Sequence, residues 1–198
     1  MPARPPVLSI RKAPRQRRSA HTVDAILEAA ALVLEADGLE GFNTNAVARR
    51  AGASIGTLYQ YFPSKDALTL ALLQREEGAY REAAAAAAAL PDWREALTTF
   101  IHVSARQQLE RPNLARLLDQ EEGRPDIRAA LDKGHSFIVL MAAILARAGR
   151  SDSERAAADL LAIIRGMTDA AGERGERDPG DLARRINAAV FGYITAIS

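Results

Sequence analysis

Apolar spacing constrains this chain more than any other feature: the readable runs repeat at three and four residues, and none alternates. Val23, Ile26, Leu27, Ala30 and Leu34 fall at i, i+3, i+4, i+7 and i+11, a single stripe down one face of a helix. A half-buried strand would need an alternating β-branched run, and the sequence has none. The fold class is therefore all-α. Residues with capping chemistry mark the breaks. Gly38 and Gly52 suit the left-handed backbone that closes a helix, and Ser54 and Ser64 can accept from the free amides that open one. Asp92 with Glu95, and Ser151 with Glu154, have capping-box spacing. Pro125 and Pro179 suit a first helical position, where no intrahelical acceptor awaits an N–H. The seven alanines at 83–89 extend a helix, since alanine is the best helix former. About nine helices are expected, at 23–36, 44–51, 54–62, 65–89, 92–110, 112–120, 125–148, 152–174 and 178–197.

What the chain lacks narrows its chemistry. It has no cysteine, which excludes disulfides, thiolate zinc sites and cysteine nucleophiles. Its histidines, His21, His102 and His135, include no pair at the i, i+4 spacing of a helical metal site. No metal and no cofactor are expected. The longest apolar run, residues 137–146, is half of what a membrane helix requires. Near the N-terminus only Val7, Leu8 and Ile10 are strongly apolar, too few for a secretion signal, so a cytoplasmic protein without a membrane partner is expected. A formal net charge of +1 hides an asymmetry: of the first 65 residues nine are basic and five acidic, and the remainder is slightly acidic. A positive N-terminal third fits either contact with a polyanion or a solvated face with a disordered tail.

Residues 44–62 hold two helices of about two turns joined by Gly52 and Ala53. A pair this short with a glycine turn is the helix-turn-helix arrangement, whose second helix enters the DNA major groove. On the second helix Leu58 and Phe62 fall together, suited to packing on Val47 and the first helix. The other side carries Gly56, Thr57, Gln60 and Tyr61, small or hydrogen-bonding as base reading requires. Tyr59 lies at the margin, within reach of a phosphate. Lys65 opens the next helix, where its charge opposes the helix dipole unless a phosphate binds there.

From Val23 to about Leu73 the chain resembles the DNA-binding domain of the TetR family of bacterial repressors. The matching residues are Ile26, Leu27, Glu28, Ala29, Ala30, Glu35 and Gly38, then Thr44–Ala48, Ala51–Ser54, Gly56–Tyr59, Tyr61, Phe62 and Ser64–Leu68. The resemblance covers about a quarter of the chain; the rest matches only in being helical. It implies a disordered basic arm over 1–20, a three-helix DNA-binding domain over 21–67, and a helical effector-binding and dimerisation domain over 68–198. It also implies that Thr44 caps its helix while touching a phosphate, with Ser54 among the DNA-binding residues. Ile55, Gly56 and Thr57 would meet base edges or nearby backbone, and Tyr59, Tyr61 and Lys65 would hold phosphates. Ile55 departs from the polar residue many members carry; what it can offer is apolar contact, as with a thymine methyl. Arg15, Arg17 and Arg18 could follow the DNA backbone or enter the minor groove.

Other chemistries fit less well. Gly52, Ser54 and Gly56 spell the G-x-S-x-G pattern of serine hydrolases, but that elbow needs a strand before the serine. Ser54 as a helix cap accounts for the same residues, so no enzyme is expected; a DNA-binding protein without an effector is the nearer alternative. Leu160, Ile163, Ile164 and Met167 form one terminal stripe, and Leu182, Ile186, Ala189, Val190, Tyr193 and Ile197 another. Such apolar helices suggest a homodimer through a four-helix bundle, the alternative being an intramolecular core. Two-fold symmetry would then require a pseudo-palindromic operator in double-stranded DNA. Trp93, Phe100, His102, Phe137, Met141 and Met167 could line a small-molecule effector site, with Arg106 one turn beyond His102 to orient a polar group.

Overall fold

The structure is a computed structural model and describes residues 17–131, 135–149 and 152–196. Among the described residues there are ten helices and no strand. They are α1 (Arg17–Gly41), α2 (Thr44–Arg50), α3 (Ile55–Tyr61), α4 (Lys65–Ala88), α5 (Trp93–Leu109), α6 (Pro112–Glu122), α7 (Pro125–Ala130), α8 (His135–Arg147), α9 (Ser153–Glu173) and α10 (Pro179–Ala196). None of these is long and apolar enough to cross a membrane.

Three boundaries differ from the sequence expectation. The helix expected over 125–148 is two helices, because Leu131 leaves helical geometry (ψ 117°) and buries its side chain instead. The first helix starts at Arg17, so residues 17–20, assigned to a disordered arm, are helical; Arg15 and the side chains of Arg17 and Arg18 lie outside the description. Gly38 does take a left-handed backbone (φ 65°), yet the chain makes one more helical turn to Gly41 before it exits. Of the two capping boxes, Asp92 accepts from the Glu95 amide at 2.8 Å. Asp152 stands at the start of α9 with no side-chain cap bond, and Ser151 lies outside the described residues.

Two compact units emerge. One holds residues up to 76 together with 117–131; the other holds 77–116 and 135–196. The division falls within α4, which runs unbroken through it.

In the first unit Val23, Ile26, Leu27, Ala30 and Leu34 are all buried, so the stripe read from the sequence is the helix's inner face. Phe42, Val47, Leu58, Phe62, Leu68 and Leu72 complete this core, each fully buried. Every such side chain withdrawn from water contributes about 1.5–3 kcal/mol. The segment 117–131 adds Leu117, Leu118, Ile127 and Leu131, and Arg124 fastens it to α4. The guanidinium of Arg124 lies 2.8 Å from Asp66 in the first turn of α4, 2.9 Å from Glu121 and 2.8 Å from Asp126.

In the second unit α5 is central, in contact with α8, α9 and α10. Leu97, Phe100 and Ile101 of α5 meet Met141, Ile144, Leu160, Ile164, Leu182, Ile186 and Val190 in one buried cluster. This moves five residues of the expected dimer stripes into the chain's own core. Leu160, Ile164, Leu182, Ile186 and Val190 are consumed by the chain's own core. Ile163, Met167, Ala189 and Tyr193 are only half-buried, and Ile197 lies outside the described residues.

Candidate nucleic-acid interface

The turn between α2 and α3 follows from two local devices. At its start Gly52 (φ 64°) takes the left-handed position, the Ala53 amide donates to the Ala48 carbonyl at 3.0 Å, and the Gly52 amide to Arg49 at 3.2 Å. That double closure is a Schellman motif, which satisfies carbonyls left open at the helix end. At its finish Ser54 Oγ accepts from the Thr57 amide at 3.0 Å and opens α3. The hydroxyls of Ser54 and Thr57 also share a hydrogen bond at 2.8 Å. The Ser54 hydroxyl is thus occupied as a cap, with no strand before it among the described residues, which removes the hydrolase alternative's structural premise.

The cap of α2 is Asn43, not Thr44. Asn43 Oδ1 accepts from the Ala46 amide at 2.9 Å, and its Nδ2 donates to the Gly41 carbonyl at 2.9 Å. Asparagine takes the position because it satisfies both the turn behind it and the helix ahead. Thr44 is then free to share a hydrogen bond with the Tyr59 hydroxyl at 3.2 Å, which ties the start of α2 to α3. The sequence held the signal in an asparagine three residues before Ala46. Replacing Asn43 by alanine is expected to lower unfolding free energy by about 1 kcal/mol, measured by urea titration; an unchanged midpoint would refute the cap.

The inner and outer faces of α3 are distinct. Leu58, Tyr61 and Phe62, at i, i+3 and i+4, all turn inward and are buried. Tyr61 was expected on the reading face; its helical phase with Leu58 places it in the core, so it leaves the set of surface candidates. The outer face carries Ile55 at 38% exposure, Tyr59 at 43%, and the exposed Gly56 and Gln60, with Thr57 half-exposed. Gly56 has no structural duty. Its backbone is ordinary helix, and a Cβ there would meet only Ser54 Oγ, at 3.8 Å. Arg49 and Arg50 stand exposed in the last turn of α2, where cations favour the helix dipole. The sequence had shown them only as part of a charge total.

Lys65 is half-buried. Its Nζ lies 3.5 Å from the Leu39 carbonyl and 5.3 Å from the centre of the Phe42 ring. A phosphate would have to share the ammonium with these two neighbours. Ser64 caps α4 through the Ala67 amide at 3.0 Å.

In the second unit, Phe100, Phe137, Met141, Met167 and Trp93 all belong to or pack against one apolar cluster. His102 and Arg106 do not. Both are exposed on the far side of α5, where Arg106 pairs with Glu110 at 3.4 Å, because α5 turns Phe100, Ile101, Ser104 and Ala105 inward. The sequence reading missed Tyr80 and Ser104. The Tyr80 ring stacks on Phe137 at 4.8 Å and meets Phe100 edge-on at 6.5 Å. Its hydroxyl lies 2.8 Å from Ser104 Oγ, which itself donates to the Phe100 carbonyl at 2.9 Å. Burial pushes the Tyr80 phenol up, more than the Ser104 hydrogen bond lowers it. Tyr80 sits just before the alanine run, where periodicity gives an aromatic little contrast.

Residues 26–72 match the model of bacterial regulatory proteins of the tetR family, and residues 92–194 match the tetracyclin repressor-like C-terminal domain. Over 65 residues the chain is 42% identical to the HTH-type transcriptional repressor KstR of Mycolicibacterium smegmatis; the match takes in 33% of this chain and 29% of that protein. Among solved structures, the fatty acid degradation regulator FadR from Bacillus halodurans superposes with a TM-score of 0.72 at 18% identity, covering 86% of this chain and 95% of that one. SmeT, repressor of the Stenotrophomonas maltophilia multidrug efflux pump SmeDEF, gives 0.69 at 18% identity, over 86% of this chain and 89% of that one. At such identities the two likenesses speak to fold alone.

Proposed function

The chain belongs to the tetR family of bacterial regulatory proteins, and from that premise we propose that it is a DNA-binding transcriptional repressor whose reading surface is the outer face of α3. The observation that carries this is Gly56. A glycine inside a helix costs about 0.5–1 kcal/mol relative to alanine, and nothing in the first unit asks for it. It leaves the first turn of an exposed face bare, which suits close approach to a base edge or a phosphate. Ile55, Thr57, Tyr59 and Gln60 lie around it, with Ser54 capping the helix and Thr44 hydrogen-bonded to Tyr59.

The protein acts as a homodimer through α9 and α10 in this reading. Support comes from their outward sides. Ala158, Ala162 and Gly166 on α9, and Ala188, Gly192 and Ala196 on α10, are exposed at successive four-residue steps. A Cβ at Gly166 or Gly192 would meet nothing within 4 Å, so the chain's own fold does not explain either glycine. Ile163, Met167, Ala189 and Tyr193 flank these small residues half-buried. A second copy would cover them, and sedimentation of the purified protein checks the point.

Release by a small molecule completes the proposal. The apolar group formed by Phe100, Phe137, Met141 and Met167, with the Tyr80–Ser104 hydroxyl pair at its edge, supports a mostly apolar effector with a polar end. Effector binding would lower operator affinity through a coupling free energy of about 1–3 kcal/mol.

The deciding experiment is selection of duplexes from a random library by the full chain, followed by fluorescence anisotropy at two salt concentrations with a scrambled duplex as control. Enrichment of a two-fold symmetric site, bound tightly at the higher salt while the scrambled duplex is lost, is expected. Equal binding to both, erased by salt, would overturn the reading. The same assay then serves to screen effectors.

A further inference from the structure

Resting on that reading, we propose that Ile55 reads the 5-methyl group of a pyrimidine. Each half-site of the operator then carries a thymine that the protein selects by its methyl rather than by its hydrogen-bonding edge.

Commitment of the polar groups on α3 is the first argument. Ser54 Oγ is occupied by the Thr57 amide and hydroxyl, and the Thr57 hydroxyl by Ser54. The Tyr59 hydroxyl is shared with Thr44 Oγ1. Tyr61 is in the core. Each pair holds its side chains in place and spends one O–H, so the polar side chain on this helix not engaged in such a pair is the Gln60 amide.

Exposure is the second. Among the described residues, the large apolar side chains exposed to solvent in the first unit are Ile55 and Tyr59. They stand at i and i+4, on one side of the same short helix, with bare Gly56 beside them. Scattered single apolar residues are ordinary on a surface, but a pair confined to the one face proposed to meet DNA has a chemical counterpart. The major groove presents one apolar group, the methyl at C5 of thymine; the other base edges offer donors and acceptors that isoleucine cannot use.

The test uses the duplex enriched by the wild-type chain. Replacing each thymine in turn by deoxyuridine removes the methyl and nothing else. At one thymine per half-site the affinity is expected to fall about fourfold, the worth of one buried methyl-sized group (about 0.8 kcal/mol, at 1.4 kcal/mol per factor of ten). Ile55→Ala should bind the thymine duplex about fourfold more weakly and be indifferent to deoxyuridine at that position, while Ile55→Val keeps the discrimination. Cytosine and 5-methylcytosine at the same place should differ by a similar factor for the wild type and not for Ile55→Ala. Because Ile55 is exposed, the alanine variant should melt with the wild type, which separates a lost contact from a lost fold. Tolerance of every deoxyuridine, an enriched site without thymine, or a penalty that persists in Ile55→Ala would overturn the proposal while leaving DNA binding intact. A library that shows no enrichment would overturn the DNA-binding reading, and this proposal with it.

Discussion

Gly56→Ala is expected to raise stability and weaken operator binding, moving two measurable properties in opposite directions. The stabilising side follows from the backbone. The residue has ordinary helical geometry, its new methyl would meet only Ser54 Oγ at 3.8 Å, and the unfolded chain loses freedom. A gain of about 0.5–1 kcal/mol, or a few degrees in melting temperature, is the expected size. The binding side follows from place. The methyl projects from the exposed first turn of α3 and holds the helix back from the groove floor, weakening the base-edge contacts. A loss of about ten- to a hundredfold in affinity for the enriched duplex is expected, corresponding to about 1–3 kcal/mol. Thermal unfolding and anisotropy on the same sample measure both. Unchanged affinity would mean that α3 presents another face to DNA, or none.

Phe62→Ala carries the largest expected loss of stability. Phe62 caps the end of α3 and is fully buried, as are Leu58 and Phe42 in the same unit. Truncating a buried phenylalanine costs about 3–5 kcal/mol, against a total stability of about 5–15 kcal/mol for a typical domain. Urea unfolding should show the midpoint falling steeply, and operator binding should disappear with it. Tyr59→Phe, on the same helix but outside the core, is the control. It loses one exposed hydrogen bond to Thr44 and should unfold close to the wild type. A Phe62→Ala midpoint within experimental scatter of the wild type would show that the packing drawn here does not hold the unit together.

The parts legible in the sequence were those with a strong local code. A stripe such as Val23, Ile26, Leu27, Ala30 and Leu34 names its own helix and its own buried face. Gly52 and Ser54 name a turn, because few other residues perform those two tasks. Legibility failed where two local signals competed. Asn43 and Thr44 can each cap a helix, and what decides between them is the Gly41 carbonyl, which only the asparagine amide reaches. Tyr61 is as plausible at a surface as in a core; three residues from Leu58, it follows Leu58 inward. The last two helices were legible only in part, for a different reason. A stripe cannot say which partner covers it, so Leu160 and Ile186 looked like interface when α5 already covers them. Tyr80 and Ser104 escaped notice because their meaning lies in each other, 24 positions apart.

The tie between Arg124 and Asp66 bears on how such a protein can be taken apart or recombined. The first unit is not one stretch of chain: residues 117–131 return to it after an excursion through the second. A fragment ending at residue 76 would keep all three helices of the reading head but leave Asp66 without its guanidinium. It would also lack the cover that Leu117, Leu118, Ile127 and Leu131 bring. Exchange of heads between relatives by a single crossover in α4 would therefore graft each head onto a foreign Arg124 segment. Recombination that preserves the head must cut twice, so the two halves of this chain are free to diverge in sequence but not to be inherited separately.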